Sequence, residues 1–193
     1  MRIPLFPLNT VLFPEGILEL RIFEQRYLHL VSECLRQESP FGICLIQAGK
    51  EVGAVATPHP VGTLARIIDW EKRTDGLLGI RVQGGQRFRI IDSAADSQQL
   101  LYADVHLLDE PSQPSLNEEL QPLAQLLQRI LGQLGSDNLP APPQLDNPSW
   151  ISCRLAELLP LPRHQKQRLL EIDDPNVRLR LLQRLLQPKT SDS

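Results

Sequence analysis

Basic charge is not in excess in this chain: 20 lysines and arginines stand against 23 aspartates and glutamates, a formal net charge of -3 over 193 residues. A nucleic-acid binder is expected to gather positive charge on one face, so this balance argues against DNA or RNA as a partner. The acidic excess lies in the first 150 residues, and the C-terminal part is slightly basic. Only 3 cysteines are present, Cys34, Cys44 and Cys153, an odd number at wide spacing. That pattern fits reduced, core-packed thiols rather than a disulfide framework. No apolar run approaches the roughly 20 residues that span a bilayer. Pro4 and Pro7 interrupt the start before a signal-peptide core of about 7–15 apolar residues can form. A soluble, cytoplasmic protein without membrane contact is expected.

Catalytic motifs are missing as well. Without a G-x-x-x-x-G-K-[ST] phosphate cradle, nothing supplies the backbone amides and lysine that hold nucleotide phosphates. Gly84 and Gly85 follow a strand pattern and precede another, so they read as a hairpin turn and not a nucleotide loop. His29, His59, His106 and His164 are isolated, with no H-E-x-x-H and no cysteine at ligand spacing, which points away from a metal site. Ser152, Cys153 and His164 lack the elbow that presents a nucleophile, and Cys153 falls on an apolar helix stripe. Asp173 and Asp174 before Pro175, and Glu118 with Glu119, are explained as helix-start carboxylates. Arg178, Arg180 and Arg184 alternate with leucines without aromatic neighbours for base stacking, and read as a solvated helix face. No enzyme, cofactor or metal is predicted.

What is present is organised. Residues 17–22 alternate, with Leu18, Leu20 and Ile22 on one face, and predict a half-buried strand. The period then changes: Tyr27, Leu30, Val31 and Cys34 recur at threes and fours, predicting a helix over 24–37. FGICLIQ (41–47) is a continuous apolar run and predicts a strand buried on both faces. Residues 50–60 read as a loop. GTLARIIDWEKR and LLGIRVQ are joined by Thr74, Asp75 and Gly76, a hairpin signal, and a last strand alternates over 102–108. About six strands result, enough for a small closed or nearly closed barrel.

Beyond Asp109 the chain turns proline-rich and helical. Ser115 and Glu118 have capping-box spacing before a leucine stripe (Leu116, Leu120, Leu123, Leu127, Ile130, Leu134), and Pro122 requires that helix to begin near Leu120 or to kink. Residues 139–148 read as a loop or stiff linker. Asn147 and Pro148 predict the start of a helix burying Ile151, Leu155 and Leu158; a short helix follows over 163–171. The last begins after Asp174 with Val177, Leu181, Leu182 and Leu185 inward. Residues 189–193 are expected to be a disordered tail. Aromatic residues make up 5% of the chain, so Trp70 stands out, beside a charged hairpin tip of Glu71, Lys72 and Arg73. It suits either an outward partner anchor or an inward barrel position.

The opening run IPLFPLNTVLFPEGILELRIFEQRY, the strand GTLARIID, the hairpin leading into GIRVQGGQRFRI, and the ending LAELLPLPRHQKQRLLEIDDPNVRLRLLQRLL resemble, in this order, the N-terminal substrate-recognition domain of the Lon family of ATP-dependent proteases. The resemblance covers residues 3–186. It implies an α+β fold, a PUA-like β pseudobarrel with one helix over 1–110 followed by a helical bundle over 111–188. A full Lon protease continues into an AAA+ module and a Ser-Lys protease domain, and this sequence contains neither. The resemblance therefore implies a non-catalytic module that binds unfolded or exposed apolar polypeptide segments, an adaptor in protein quality control working with a separate protease. Phe6, Phe13, Phe23 and Trp70 are its candidate contact residues, with core packing the competing role for the three phenylalanines. RNA binding, known for other PUA-like barrels, is the alternative.

Overall fold

The alternating segment forms strand β2 (Ile17–Ile22) and the change of period starts helix α1 (Gln25–Gln37), as the pattern requires. The computed structural model describes residues 1–109, 115–134 and 142–187. The chain divides into two compact units, Met1–Asp109 and Glu110–Ser193. The other strands of the first unit are β1 (Arg2–Leu8), β3 (Phe41–Ala48), β4 (Thr57–Pro58), β5 (Val61–Lys72), β6 (Leu78–Ala95) and β7 (Leu101–Leu107). β1 pairs in parallel with β3 and antiparallel with β7. β3 pairs with β5, β5 with β6 and β6 with β7, so five strands close into a ring. Closure removes the exposed edges that an open sheet of this size would leave. β4 adds to β3, inside the segment that the sequence marks as a loop, and β2 adds to β6.

Two apolar clusters fill this unit. Tyr27, Leu30, Val31 and Cys34 of α1 pack on Phe6, Phe41, Ile43 and Ile80. Ile3, Leu5, Cys44, Phe88 and Val105 form the second cluster. Phe41 and Ile43 face one cluster and Cys44 the other, so β3 is buried on both faces, as its unbroken apolar run predicts. Burial raises the pKa of the Cys34 and Cys44 thiols.

Gly84 and Gly85 do not make a turn. β6 runs through them as a single strand of 18 residues. A Cβ on Gly84 would lie 2.2 Å from the carbonyl oxygen of Phe13, so glycine is required there for backbone approach and not for a positive φ. The approaching chain is held by two bonds: Glu15 N–H donates to Gly84 O and Gly84 N–H donates to Gly16 O, both at 2.8 Å. The true hairpin is the predicted one, where Gly76 has φ 81°.

The second unit contains α2 (Gln121–Leu134), α3 (Pro148–Leu158), α4 (Arg163–Glu171) and α5 (Pro175–Leu186). A one-turn 3-10 helix, Glu118–Leu120, precedes α2, and its cap is Asn117 rather than Ser115. Pro122 sits in the first turn of α2, where its missing N–H costs nothing. Asn147 caps α3 and Asp174 caps α5, each ahead of a first-turn proline. Leu131 is buried on α2 where Leu134 is exposed, and on α3 Trp150 is buried while Leu158 is exposed.

On α5 the inward face is turned from the predicted one, because Val177 is exposed and Arg178 is buried at 1% exposure. Arg178 donates to Leu169 O at 2.9 Å, Ile172 O at 2.6 Å and Ser152 Oγ at 3.0 Å, satisfying carbonyls at the end of α4. Arg180 and Arg184 remain on the solvated face. Residues 139–141 of the proline-rich linker and the tail 189–193 lie outside the described residues.

Candidate functional site

β6 gives β2 its only strand partner among the described residues. Residues 78–83 of β6 pair with β2, and 88–95 pair with β7. β3 matches β5 only at Thr63–Ala65, so β2, β6 and the distal half of β5 extend past the closed ring as a three-stranded flap. The glycine at position 84, bonded to Glu15 and Gly16, sets where this flap departs.

β2 separates two grooves, since Glu19, Leu20 and Arg21 line both. The first, of about 430 Å³, is a charged surface bearing Asp69, Trp70, Arg73 and Arg81. Glu19 and Arg81 approach to 3.8 Å there, and Arg73 contacts Asp75 at 3.5 Å. The second, of about 250 Å³, is apolar and has Phe6, Leu8 and Tyr27 opposite Leu18 and Leu20, with Phe23 and Val52 at its rim. Phe6 and Tyr27 are stacked with centroids 3.8 Å apart and planes at 17°. The Arg26 guanidinium lies 4.8 Å from the Tyr27 ring centroid, and also meets Glu24 at 2.9 Å. Burial, with Glu24 and Glu51 adding to it against Arg26, pushes the Tyr27 hydroxyl up to about 12, so it stays protonated at neutral pH.

The structure separates the four sequence candidates. Phe23 is 55% exposed at the rim of the apolar groove, and Phe6, 6% exposed, lies in that groove's lining. Trp70 is 59% exposed and belongs to the charged groove across β2. Phe13 is fully buried at 0% exposure, because its segment is drawn against β6 by the bonds at Gly84; it has no surface to offer a partner. Sequence reasoning missed Glu51 and Val52. Val52 is an isolated apolar residue in a polar loop, a weak signal in sequence, yet it is 55% exposed beside Phe23's groove. Glu51 anchors that loop by accepting the Asn9 N–H.

Among the described residues, no cluster of three or more histidines, cysteines or carboxylates is placed to hold a metal ion, and no helix is long and apolar enough to cross a membrane. The arrangement has the features of a binding protein: a β pseudobarrel with an apolar groove beside an edge strand, followed in sequence by a helical unit. The family model described as the ATP-dependent protease La (LON) substrate-binding domain matches residues 2–188, and the chain belongs to that family.

Solved structures agree. A crystal structure of a Lon N-terminal domain protein from Xanthomonas campestris is 38% identical, with a TM-score of 0.82, over 97% of this chain and 99% of that one. The N-terminal domain of a Mycobacterium avium complex Lon protease, at 19% identity and TM-score 0.70 over 94% and 96% of the two chains, shares the fold. Similar curated proteins include the Lon protease of Anaeromyxobacter dehalogenans and Lon protease 2 of Myxococcus xanthus. Both are 26% identical over 194 residues, and the match covers 97% of this chain but 23% and 24% of those proteins. The chain thus spans about a quarter of the length of the curated relatives it matches.

Proposed function

We propose that this chain is a non-catalytic module that binds exposed apolar segments of unfolded polypeptides, acting as an adaptor that passes them to a separate protease. The observation that carries the reading is the apolar groove on β2, where Phe23 and Val52 stand more than half exposed above Phe6 and Tyr27. Exposed apolar side chains around a concave floor favour a partner that brings apolar surface of its own. Membership of a family described by substrate binding supports the same conclusion. Trp70, on the other side of β2, is assigned a secondary contact. RNA is the weaker reading, since the apolar groove carries three carboxylates, Glu19, Glu24 and Glu51, against one guanidinium, Arg21.

Fluorescence anisotropy with a labelled model protein, unfolded in one sample and native in the other, tests this function. Binding of the unfolded form alone is expected. Phe23→Ala weakens it about tenfold, the effect of losing one aromatic anchor, and Trp70→Ala weakens it less. Equal binding of native and unfolded forms, or no binding of either, would remove the proposal.

A further inference from the structure

The backbone of β2 is itself a binding element. In an antiparallel ladder, opposed residues alternate between pairs that exchange two backbone bonds and pairs that exchange none. The bond from Gly84 N–H to Gly16 O fixes the phase for β2. With the register Leu18 to Val82, Leu20 to Ile80 and Ile22 to Leu78, those three pairs exchange bonds. The N–H and C=O groups of Ile17, Glu19 and Arg21 therefore face away from β6. No other strand pairs there among the described residues. The bond from Arg73 N–H to Leu77 O sets a phase for β5 that assigns alternate β6 residues to the two neighbours, as a central strand must.

β5 shows what a protected edge looks like. Its outward Trp70 N–H is taken by the Asp69 carboxylate at 2.9 Å, so an incoming strand finds that donor occupied. Among the described residues β2 has no such block, and its open edge borders the apolar groove, which runs along residues 18–24. The lining holds more negative than positive charge: Glu19, Glu24 and Glu51 against Arg21. Arg26 offsets Glu24 from a buried position, and Arg81 approaches Glu19 from the neighbouring strand. Glu51 accepts the Asn9 N–H and, among the described residues, meets no cation.

We propose that an extended polypeptide segment with apolar side chains at alternate positions and a basic residue at its end binds as an added antiparallel or parallel strand on β2. It accepts and donates backbone bonds at Glu19 and Arg21, sets alternate side chains against Phe6, Tyr27 and Val52, and places its cation near Glu51. This deepens the polypeptide-binding function and depends on it. Strand addition would let one groove accept many sequences, because the bonds come from the backbone and the pockets ask only for apolar alternation.

The test uses fluorescein-labelled peptides alternating valine and threonine between terminal lysines, titrated against the whole chain. Two further versions carry N-methyl groups on alternate amides, one in each phase. One phase is expected to lose about tenfold or more in affinity and the other little, since two backbone bonds are forfeited in only one of them. Arg21→Pro, which removes an outward N–H and leaves the β6 ladder intact, is expected to weaken the unmodified peptide while keeping the thermal unfolding curve.

Equal affinity for all three lysine-ended peptides overturns strand addition and leaves the groove's function standing. Failure of every peptide and of unfolded protein to bind overturns both. Equal binding of glutamate-ended peptides overturns the charge assignment. A concentration-dependent dimer in sedimentation, abolished by Arg21→Pro, assigns the edge to a second copy of the chain and overturns the peptide occupant.

Discussion

Replacing Gly84 by alanine tests the link between one backbone contact and the whole flap. The added Cβ falls 2.2 Å from Phe13 O, 3.1 Å from the Phe13 carbonyl carbon and 3.2 Å from Leu12 Cγ. Two of these are backbone atoms, so no side-chain rotation relieves the overlap. Overpacking of a buried site costs about 1–3 kcal/mol. Moving the 9–16 segment away breaks the Glu15–Gly84 and Gly84–Gly16 bonds, at about 1 kcal/mol each. The sum is about 3–5 kcal/mol, a large part of the stability of a domain this size. Gly85→Ala is the matched control, because its nearest atoms are at 3.6 Å and 3.7 Å, ordinary contact distances. Urea unfolding followed by circular dichroism measures both. With a slope of about 1–2 kcal/mol per molar urea, Gly84→Ala lowers the midpoint by about 1.5 M or more, and Gly85→Ala shifts it by less than about 0.5 M. A pair of variants with equal midpoints refutes the reasoning, since a plain turn has no cause to distinguish these two glycines.

Further outcomes concern the helical unit. Glu157 on α3 pairs with Arg154 at 2.9 Å, yet burial outweighs the attraction of Arg154 and Lys166 and raises its pKa from 4.5 to about 7. The folded state therefore holds this proton more tightly than the unfolded chain. Its stabilising effect is complete below about pH 4.5 and is lost as pH rises towards 7, by up to about 3 kcal/mol. Thermal melts of the wild type across that window should fall with pH, and Glu157→Gln should flatten the fall. Arg178→Met leaves the Leu169 and Ile172 carbonyls without their buried donor and should cost about 3 kcal/mol, measured by urea unfolding; Arg178→Lys should not restore it, because one ammonium cannot reach along the same fork.

Local periodicity made much of this fold readable. The residues that predict α1, namely Tyr27, Leu30, Val31 and Cys34, are its buried face, and the Asn147 and Asp174 caps start the helices they announce. A capping side chain and an apolar stripe act within a turn or two, so sequence contains them whole. Gly84 was beyond such reasoning. A glycine between two apolar runs signals a turn or a close approach equally well, and the deciding atom, Phe13 O, lies far off in sequence. Arg178 was hidden for a related reason: its place is set by carbonyls of α4 that its own helix does not contain. In the groove, Phe23 was visible as an apolar residue following a strand, but Val52 joins it only through the fold, and Phe13 carried the same sequence signal as Phe23 with the opposite burial.

The misread glycine and the groove are one structural fact. A turn at 84 and 85 would end the first half of β6 and begin a separate strand, with no continuous ladder to hold β2 beyond the ring. Because β6 continues through Gly84, it serves β2 with its first half and β7 with its second, while β5 pairs with it from Leu78 to Arg89. The five-stranded ring is then complete without β2, which among the described residues is left with one partner and one open edge. An open edge is ordinarily an aggregation hazard, and β5 covers its own with Asp69. On β2 the hazard is limited to a short segment whose outward positions 19 and 21 are charged, while the apolar floor lies beside it on Phe6 and Tyr27. An edge that is short, charged and set next to an apolar floor discourages pairing between identical flat strands and still admits a flexible segment that can supply both backbone bonds and alternate apolar side chains.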